Sequence, residues 1–271
     1  MPELPEVETT RIGIAPHVLG ERIADVRVRE PRLRWRVPKQ LKKTLTGQTV
    51  CKLGRRAKYL LFYTEQGCMI LHLGMSGSLR IVPEDLPPEK HEHFDLIFES
   101  RLCLRLRDPR RFGSIHWTAQ DPLQHPLLKH LGPEPLSNKL NGEYLFTKSR
   151  KRTRAIKTFI MDSRIVVGIG NIYSNEALFA AGIYPKRSAG KISAERYAQL
   201  SGCIKEILNR ALAKGGTTLR DFVNGEGKPG YFRHELQIYD HAGEPCPHCK
   251  TIIKTGRLGQ RSIFYCPNCQ H

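Results

Sequence analysis

No stretch of the 271-residue chain approaches the ~18 consecutive apolar residues that a membrane helix needs, and mean hydropathy is −0.42, which excludes a membrane-bound enzyme. The N-terminus, Met1-Pro2-Glu3-Leu4-Pro5-Glu6, lacks both the basic and the apolar region of a secretory signal, so no signal peptide is expected. No internal repeat and no low-complexity tract is present, which excludes repeat architectures. Acidic residues are scarce: 26 Asp+Glu stand against 44 Lys+Arg, a formal charge of +18. A soluble protein this basic usually meets a polyanion. The length excludes a small disulfide scaffold and points to about two domains, and 39% hydrophobic residues are enough for ordinary cores.

Eight cysteines fall into two classes. Cys51, Cys68, Cys103 and Cys203 are scattered among apolar neighbours and read as four buried, reduced thiols. Cys246-Pro-His-Cys249 and Cys266-Pro-Asn-Cys269 are two CxxC pairs with 16 residues between them, a zinc-ribbon spacing. Each pair offers two thiolates, and the β-rich stretches 251–254 and 262–265 around Gly256-Arg257-Leu258-Gly259 suit a hairpin that closes the site. Four thiolates leave no open position, so one structural Zn2+ is expected, with His248 ranked behind the cysteines as a ligand.

The first half of the chain alternates with period two. Val26 and Val28, Leu33, Trp35 and Val37, Phe94, Leu96 and Phe98, and Leu102, Leu104 and Leu106 each alternate with charged residues. Tyr59–Tyr63 and Met69–Leu73 are short, nearly continuous apolar runs. This pattern predicts antiparallel sheets in a sandwich or barrel, preceded by one helix that Pro5, Glu6 and Glu8 suit at its N-terminus. Gly132-Pro133-Glu134-Pro135 reads as an interdomain linker. Beyond it the period becomes helical, over 172–181 and over 194–214, the latter capped by Ser193 and ended by Gly215-Gly216. The Gly-rich stretch from 215 to 231 has little periodicity and reads as a functional loop or a disordered one. Between Lys148 and Lys157 six of ten residues are basic, and the zinc segment adds Lys250, Lys254, Arg257 and Arg261. Such charge beside a terminal zinc ribbon makes nucleic acid the expected polyanion.

The run Met1-Pro2-Glu3-Leu4-Pro5-Glu6-Val7-Glu8-Thr9, together with the terminal cysteine spacing, resembles the formamidopyrimidine-DNA glycosylase family of bacterial base-excision repair. Arg56-Ala-Lys58-Tyr59-Leu60, His72-Leu-Gly-Met75-Ser-Gly77, Asp108-Pro-Arg110-Arg-Phe112-Gly113, Gly168-Ile-Gly-Asn171-Ile-Tyr173, Gly227-Lys-Pro-Gly-Tyr231 and Gln260-Arg261 extend the match in order along the whole chain. The resemblance implies an α+β multidomain fold: an N-terminal antiparallel β-sandwich with a leading helix (1–131), a linker (132–148), a helix–two-turn–helix domain with a lesion-capping loop (149–235) and a zinc finger (236–271). Its partner would be double-stranded DNA containing oxidised purines, bound between the domains by a monomer in the bacterial cytoplasm, at the nucleoid.

The resemblance also implies roles. Pro2, exposed by removal of Met1, would be the nucleophile. A secondary amine near the α-amino pKa of about 7.7–8.0 is partly unprotonated at neutral pH, and the iminium it forms cannot relax to a neutral imine. Glu3 would be the general acid/base. Glu6 reads either as a further hydrogen-bond partner there or as a helix-dipole partner. Lys58 and Arg261 would hold the phosphates beside the lesion and assist β- and δ-elimination. Asn171 would present its amide to phosphate at a helix N-terminus, with His72, His91 and Arg152 as further DNA contacts. The target base must leave the duplex, and Met75 and Phe112, with Arg110 beside them, would fill the hole. The 216–231 loop would cover the flipped base. Two other readings stand beside this one: an endonuclease VIII-like glycosylase for oxidised pyrimidines, which would share Pro2, Glu3, Lys58 and the zinc ribbon, and a non-catalytic zinc-ribbon DNA-binding protein, which would not need Pro2-Glu3 at the terminus.

Overall fold

A computed structural model describes residues 2–216 and 232–271, which divide into two compact units. The first holds residues up to Lys129 together with 214–216 and 232–233; the second runs from His130 to Ala213 and from His234 to His271. No helix among the described residues is long and apolar enough to cross a membrane.

The first unit opens with α1 (Leu4–Val18), which buries Leu4, Val7, Ile14 and Val18. Two antiparallel sheets follow. One has the order β1-β6-β7-β5, from Ile23–Val28, Glu92–Phe98, Leu102–Arg107 and Ser78–Pro83; the other has the order β2-β3-β4-β8, from Lys52–Arg56, Tyr59–Thr64, Gly67–His72 and Ser114–Thr118. A short helix, α2 (Leu41–Leu45), packs on β1. One core joins both sheets: Val26, Phe94, Leu96, Leu104 and Leu106 from the first meet Leu53, Leu60, Phe62, Met69, Leu71 and Ile115 from the second, with Val7, Ile14 and Val18 of α1. This is the sandwich that the alternating apolar positions predict.

Of the four scattered cysteines, Cys68 and Cys103 are buried as expected, but Cys51 is exposed and Cys203 half-buried. Two strand expectations need correction. The alternating stretch around Leu33, Trp35 and Val37 is not a strand. It folds back on itself through a single bridge between Arg32 and Arg36 and a Val37 N–H to Pro31 C=O bond of 2.9 Å. Pro31 and Pro38 flank it, and neither has an N–H for a sheet ladder. Leu33 and Val37 are buried and Trp35 is exposed. In β6 the expected polar outer face is buried along with the apolar one. Asp95 and Glu92 there are covered by a cluster of arginines: Arg105 donates to Asp95 through Nε at 3.0 Å and Nη2 at 3.1 Å, and to Glu92 through Nη1 at 3.3 Å. Arg29 makes a second two-pronged bond to Asp95, at 2.6 Å for each contact, and Arg80 pairs with Glu92.

The second unit contains α3 (Gly142–Ser149), α4 (Ile156–Ile160), α5 (Asn171–Ala180) and α6 (Ala194–Ala213), then β9 (Lys254–Leu258) and β10 (Arg261–Tyr265), which pair as an antiparallel hairpin. α3 begins inside the 132–148 stretch expected to be linker, because the Asn141 side chain accepts from the Tyr144 N–H at 2.8 Å and caps a helix there. α6 buries Tyr197, Leu200, Ile204, Ile207, Leu208 and Ala211, the stripe expected of it, and packs on α3 and α5.

Candidate functional site

In the first unit the chain head is fixed by helix chemistry. Glu3 is the N-cap of α1 and forms a reciprocal capping box with Glu6, whose carboxylate accepts from the Glu3 N–H at 2.8 Å. Both carboxylates are buried, so the residue after Pro2 is held rigidly at the positive end of a helix. Gly216, at φ +83°, lies against Glu6: a Cβ there would sit 3.1 Å from the carboxylate oxygen. The Phe232 N–H donates to the Gly216 carbonyl at 3.0 Å. The lesion-capping loop expected between these two points lies outside the described residues.

Lys58 occupies the two-residue turn between β2 and β3. Ala57 before it has φ +55°, and its carbonyl accepts from Arg55 Nη1 at 2.8 Å. Arg55 also pairs with Glu8 of α1 at 2.8 Å, tying the Lys58 turn to the helix that carries Pro2 and Glu3. Across the β3–β4 ladder Tyr59 faces His72, with ring centroids 4.7 Å apart. Burial, and then the charges of Lys58 and Arg34, push the His72 imidazole down to about 4. Its Nδ1 accepts from the Gly74 N–H at 2.9 Å, so at neutral pH the ring is uncharged and can offer Nε2–H as a donor.

Two loops place Met75, Arg110 and Phe112 together. Gly74, at φ +68°, touches the other loop so closely that a Cβ would lie 2.4 Å from the Phe112 carbonyl carbon and 2.4 Å from the Gly113 nitrogen. Met75 and Phe112 are 38% and 42% exposed, which large apolar residues in a packed core are not. The Arg110 guanidinium lies 4.8 Å from the Phe112 ring centroid. Beneath them Asp108 is fully buried and accepts from Ser76 Oγ at 2.8 Å and from the Gly113 N–H at 2.7 Å. His91, at φ +72°, accepts through its carbonyl from the Asp108 N–H at 2.9 Å, which fixes its backbone beside this pair of loops.

The second unit carries Arg152, Asn171, Arg261 and the four cysteines. The cysteine sulfurs all lie within 4.8 Å of one another, with Cys249 and Cys266 3.4 Å apart and Cys246 and Cys269 3.9 Å apart. Tetrahedral zinc with bonds of about 2.3 Å sets its ligand sulfurs about 3.8 Å apart, so the donor set fits. The two CxxC turns close alike: Lys250 N–H donates to the Cys246 carbonyl at 2.9 Å and Gln270 N–H to the Cys266 carbonyl at 3.1 Å. His248 stacks on Phe179 instead, with ring centroids 4.9 Å apart. Arg261 opens β10 beyond the Gly259-Gln260 turn and is exposed. Arg152 is exposed on the loop after α3, where the Ser188 hydroxyl and the Gly190 N–H both donate to its carbonyl. Asn171 begins α5 after Gly168 and Gly170.

Several residues that position this site do not stand out in sequence. Lys157, at the end of the basic run, is 1% exposed and donates to Asn171 Oδ1 at 2.7 Å and to the Ser262 carbonyl, beside Arg261, at 2.5 Å. Its apolar neighbours Ile156, Phe159 and Ile160 are the signal that separates it from the solvated part of the run. Asn175 accepts from the Phe264 N–H at 3.1 Å, a second tie from α5 to β10. Glu176 accepts from three successive N–H groups, of Gln237, Ile238 and Tyr239, at 3.0, 3.0 and 2.8 Å. Burial pushes its carboxyl up in spite of these donors.

Three family models match in sequence order: the formamidopyrimidine-DNA glycosylase N-terminal domain over residues 1–115, the H2TH domain of the same enzymes over 131–223, and a zinc finger found in FPG and IleRS over 243–271. The chain belongs to the formamidopyrimidine-DNA glycosylase family. It is 58% identical over 270 residues to the formamidopyrimidine-DNA glycosylase of Methylococcus capsulatus and 55% identical over 271 residues to that of Nitrosococcus oceani, with all of each chain covered. Among solved structures it resembles a Lactococcus lactis FPG mutant bound to a Fapy-dG-containing DNA (TM-score 0.93, 34% identity, all of both chains covered). It also resembles the Thermus thermophilus MutM (FPG) protein (TM-score 0.89, 35% identity, covering 99% of this chain and 98% of that one). Membership makes this chain a DNA-repair enzyme and the four-cysteine cluster its structural zinc site, and the sandwich, helical and zinc-hairpin parts expected from sequence are all present.

Proposed function

We propose that the protein excises oxidised purines, 8-oxoguanine and formamidopyrimidines, from double-stranded DNA through a covalent intermediate at Pro2, and then cleaves the abasic strand by β,δ-elimination. The observation that carries this reading is the chain head: Pro2 is followed by a buried Glu3 locked as the N-cap of α1, on a helix tied through Glu8 and Arg55 to the Lys58 turn. The Pro2 amine attacks C1′ as the bond to the base breaks, and the base leaves with a proton. Glu3 passes a proton to O4′ as the sugar ring opens, which gives an iminium. Loss of the C2′ proton into that electron sink expels the 3′ phosphate, and a second elimination expels the 5′ phosphate. Water then hydrolyses the iminium and frees Pro2. Lys58, with the neutral His72 beside it, and on the second unit Arg261 and Asn171, hold phosphates. His91 and Arg152 extend that contact, and Met75, Arg110 and Phe112 fill the vacated stack. The enzyme acts on chromosomal DNA in the bacterial cytoplasm.

The test is borohydride trapping on a duplex with a single 8-oxoguanine. A covalent adduct is expected from the protein with a free Pro2 amine and none from protein whose N-terminus is blocked by an uncleaved tag. An adduct with the blocked protein would assign the nucleophile elsewhere. Preferential cutting of a duplex with an oxidised pyrimidine would favour the endonuclease VIII-like reading.

A further inference from the structure

We propose that Asp108 is the positioning residue of the wedge: its buried carboxylate clamps the loop carrying Met75 to the loop carrying Arg110 and Phe112, so that the three enter DNA as one rigid body. This rests on reading those three side chains as the wedge. Each Asp108 oxygen holds a different loop. Oδ1 accepts from the Ser76 hydroxyl at 2.8 Å, next to Met75, and Oδ2 accepts from the Gly113 N–H at 2.7 Å, next to Phe112. The Ser76 oxygen in turn accepts from the Arg110 N–H at 3.3 Å, so the third wedge residue is bonded into the same node. The main chain of Asp108 is held as well, its N–H donating to the His91 carbonyl at 2.9 Å and its carbonyl bonding His93 Nε2 at 2.9 Å.

A clamp is needed because the loops carry the opposite of what holds loops still. Their tips are exposed apolar and cationic side chains with little packing of their own. Arg111 between them sits at φ +56°, a conformation a non-glycine residue keeps only where its surroundings enforce it. A wedge that separates stacked bases must push without yielding, and a carboxylate with two charge-assisted hydrogen bonds at zero exposure resists displacement. Gly74 lets the two backbones meet at a separation no side chain would allow.

The experiment compares Asp108→Ala, Asp108→Asn and Ser76→Ala with the unmodified enzyme in single-turnover reactions. The substrates are an 8-oxoguanine·cytosine duplex, an 8-oxoguanine·adenine duplex, and a single-stranded oligonucleotide with one abasic site, which needs no wedge. Asp108→Ala should slow duplex excision roughly 10- to 100-fold, the scale on which a displacement of about 1 Å acts. It should also flatten the cytosine-over-adenine preference and leave single-stranded abasic cleavage within about twofold. Asn keeps the Gly113 bond and should recover part of the duplex rate; Ser76→Ala, which removes one prong without a buried charge, should lose a smaller part in the same direction. Equal loss on all three substrates, or unchanged duplex rates and preference in both Asp108→Ala and Ser76→Ala, would overturn the clamp. Failure of the unmodified enzyme to cut 8-oxoguanine at all would instead overturn the proposed function.

Discussion

Arg105→Ala should be among the most damaging single substitutions in the sandwich. The side chain is 1% exposed and places every guanidinium nitrogen on a partner: two on Asp95 and one shared by Glu92 and the carbonyls of Leu86 and Pro87, at 3.0 and 3.3 Å for the last two. Breaking one partner out of a buried ion pair typically costs about 3–5 kcal/mol, because the remaining charge stays buried. Here Arg29 and Arg80 remain on the two carboxylates, which lowers that figure, while two carbonyls lose a donor, which raises it. A cost of about 4 kcal/mol is expected, a large part of a typical stability of about 5–15 kcal/mol. At about 2–4 °C per kcal/mol, Tm should fall by about 8–16 °C. For Asp95 and Glu92 burial works to raise the carboxyls, but the hydrogen bonds and charges around them outweigh it and hold both below their ordinary values. The unfolded chain therefore takes up protons first on acidification. The cluster's stabilisation is complete above about pH 4.5, the ordinary carboxylate range, and is lost as pH falls through the lower folded values. Without Arg105 the folded values rise, so acid unfolding should begin at higher pH. Melting followed by circular dichroism across pH 3–8 reads both effects. A Tm within about 2 °C of the unmodified protein, or an unchanged acid midpoint, would refute the reasoning.

Cys249→Ser should strip zinc and weaken duplex binding by misplacing Arg261, while retained stoichiometric zinc in metal analysis would contradict the four-thiolate site. Arg110→Ala should weaken excision opposite cytosine and level the preference over adenine, since cytosine offers the arginine fork two acceptors and adenine sets a donor against it; the lost discrimination is about 1–3 kcal/mol, read as the ratio of single-turnover rates. The His72 ring should keep the chemical shifts of a neutral imidazole from about pH 8 down to about pH 5.5, below the ordinary histidine value of about 6.5, and should charge only as pH approaches 4. Because its folded value is depressed, this residue costs stability as pH falls from about 6.5 toward 4, and an NMR titration with a midpoint near 6.5 would show that its surroundings do not hold it neutral.

Short-range chemistry was legible without a structure. The zinc site follows from spacing alone, because a CxxC turn can close only locally and two of them joined by a hairpin have one compact solution. The stripe of α6 was likewise readable, because burial on one face imposes a period on the residues that face it. Pro2 and Glu3 stood out only through the family resemblance of the motifs along the chain, and the bond that makes Glu3 an N-cap rather than a mobile carboxylate needs Glu6 one helical turn on. Tertiary structure decided what depends on partners distant in sequence. Alternation around Trp35 has the strand period, yet the chain there finds no neighbouring strand and closes on itself. Asp95 reads as a solvent-facing residue until Arg105 and Arg29, ten and 66 positions away, bury it. Lys157 reads as one more surface cation, but a helix start and a hairpin carbonyl converge on its ammonium group and enclose it. Met75 and Phe112 belong to loops more than 30 residues apart, and they become one feature only because a glycine lets the backbones touch and one buried carboxylate bonds both. Periodicity records which face of an element is apolar; which distant group satisfies a buried charge is set by packing, and the sequence holds no local trace of it.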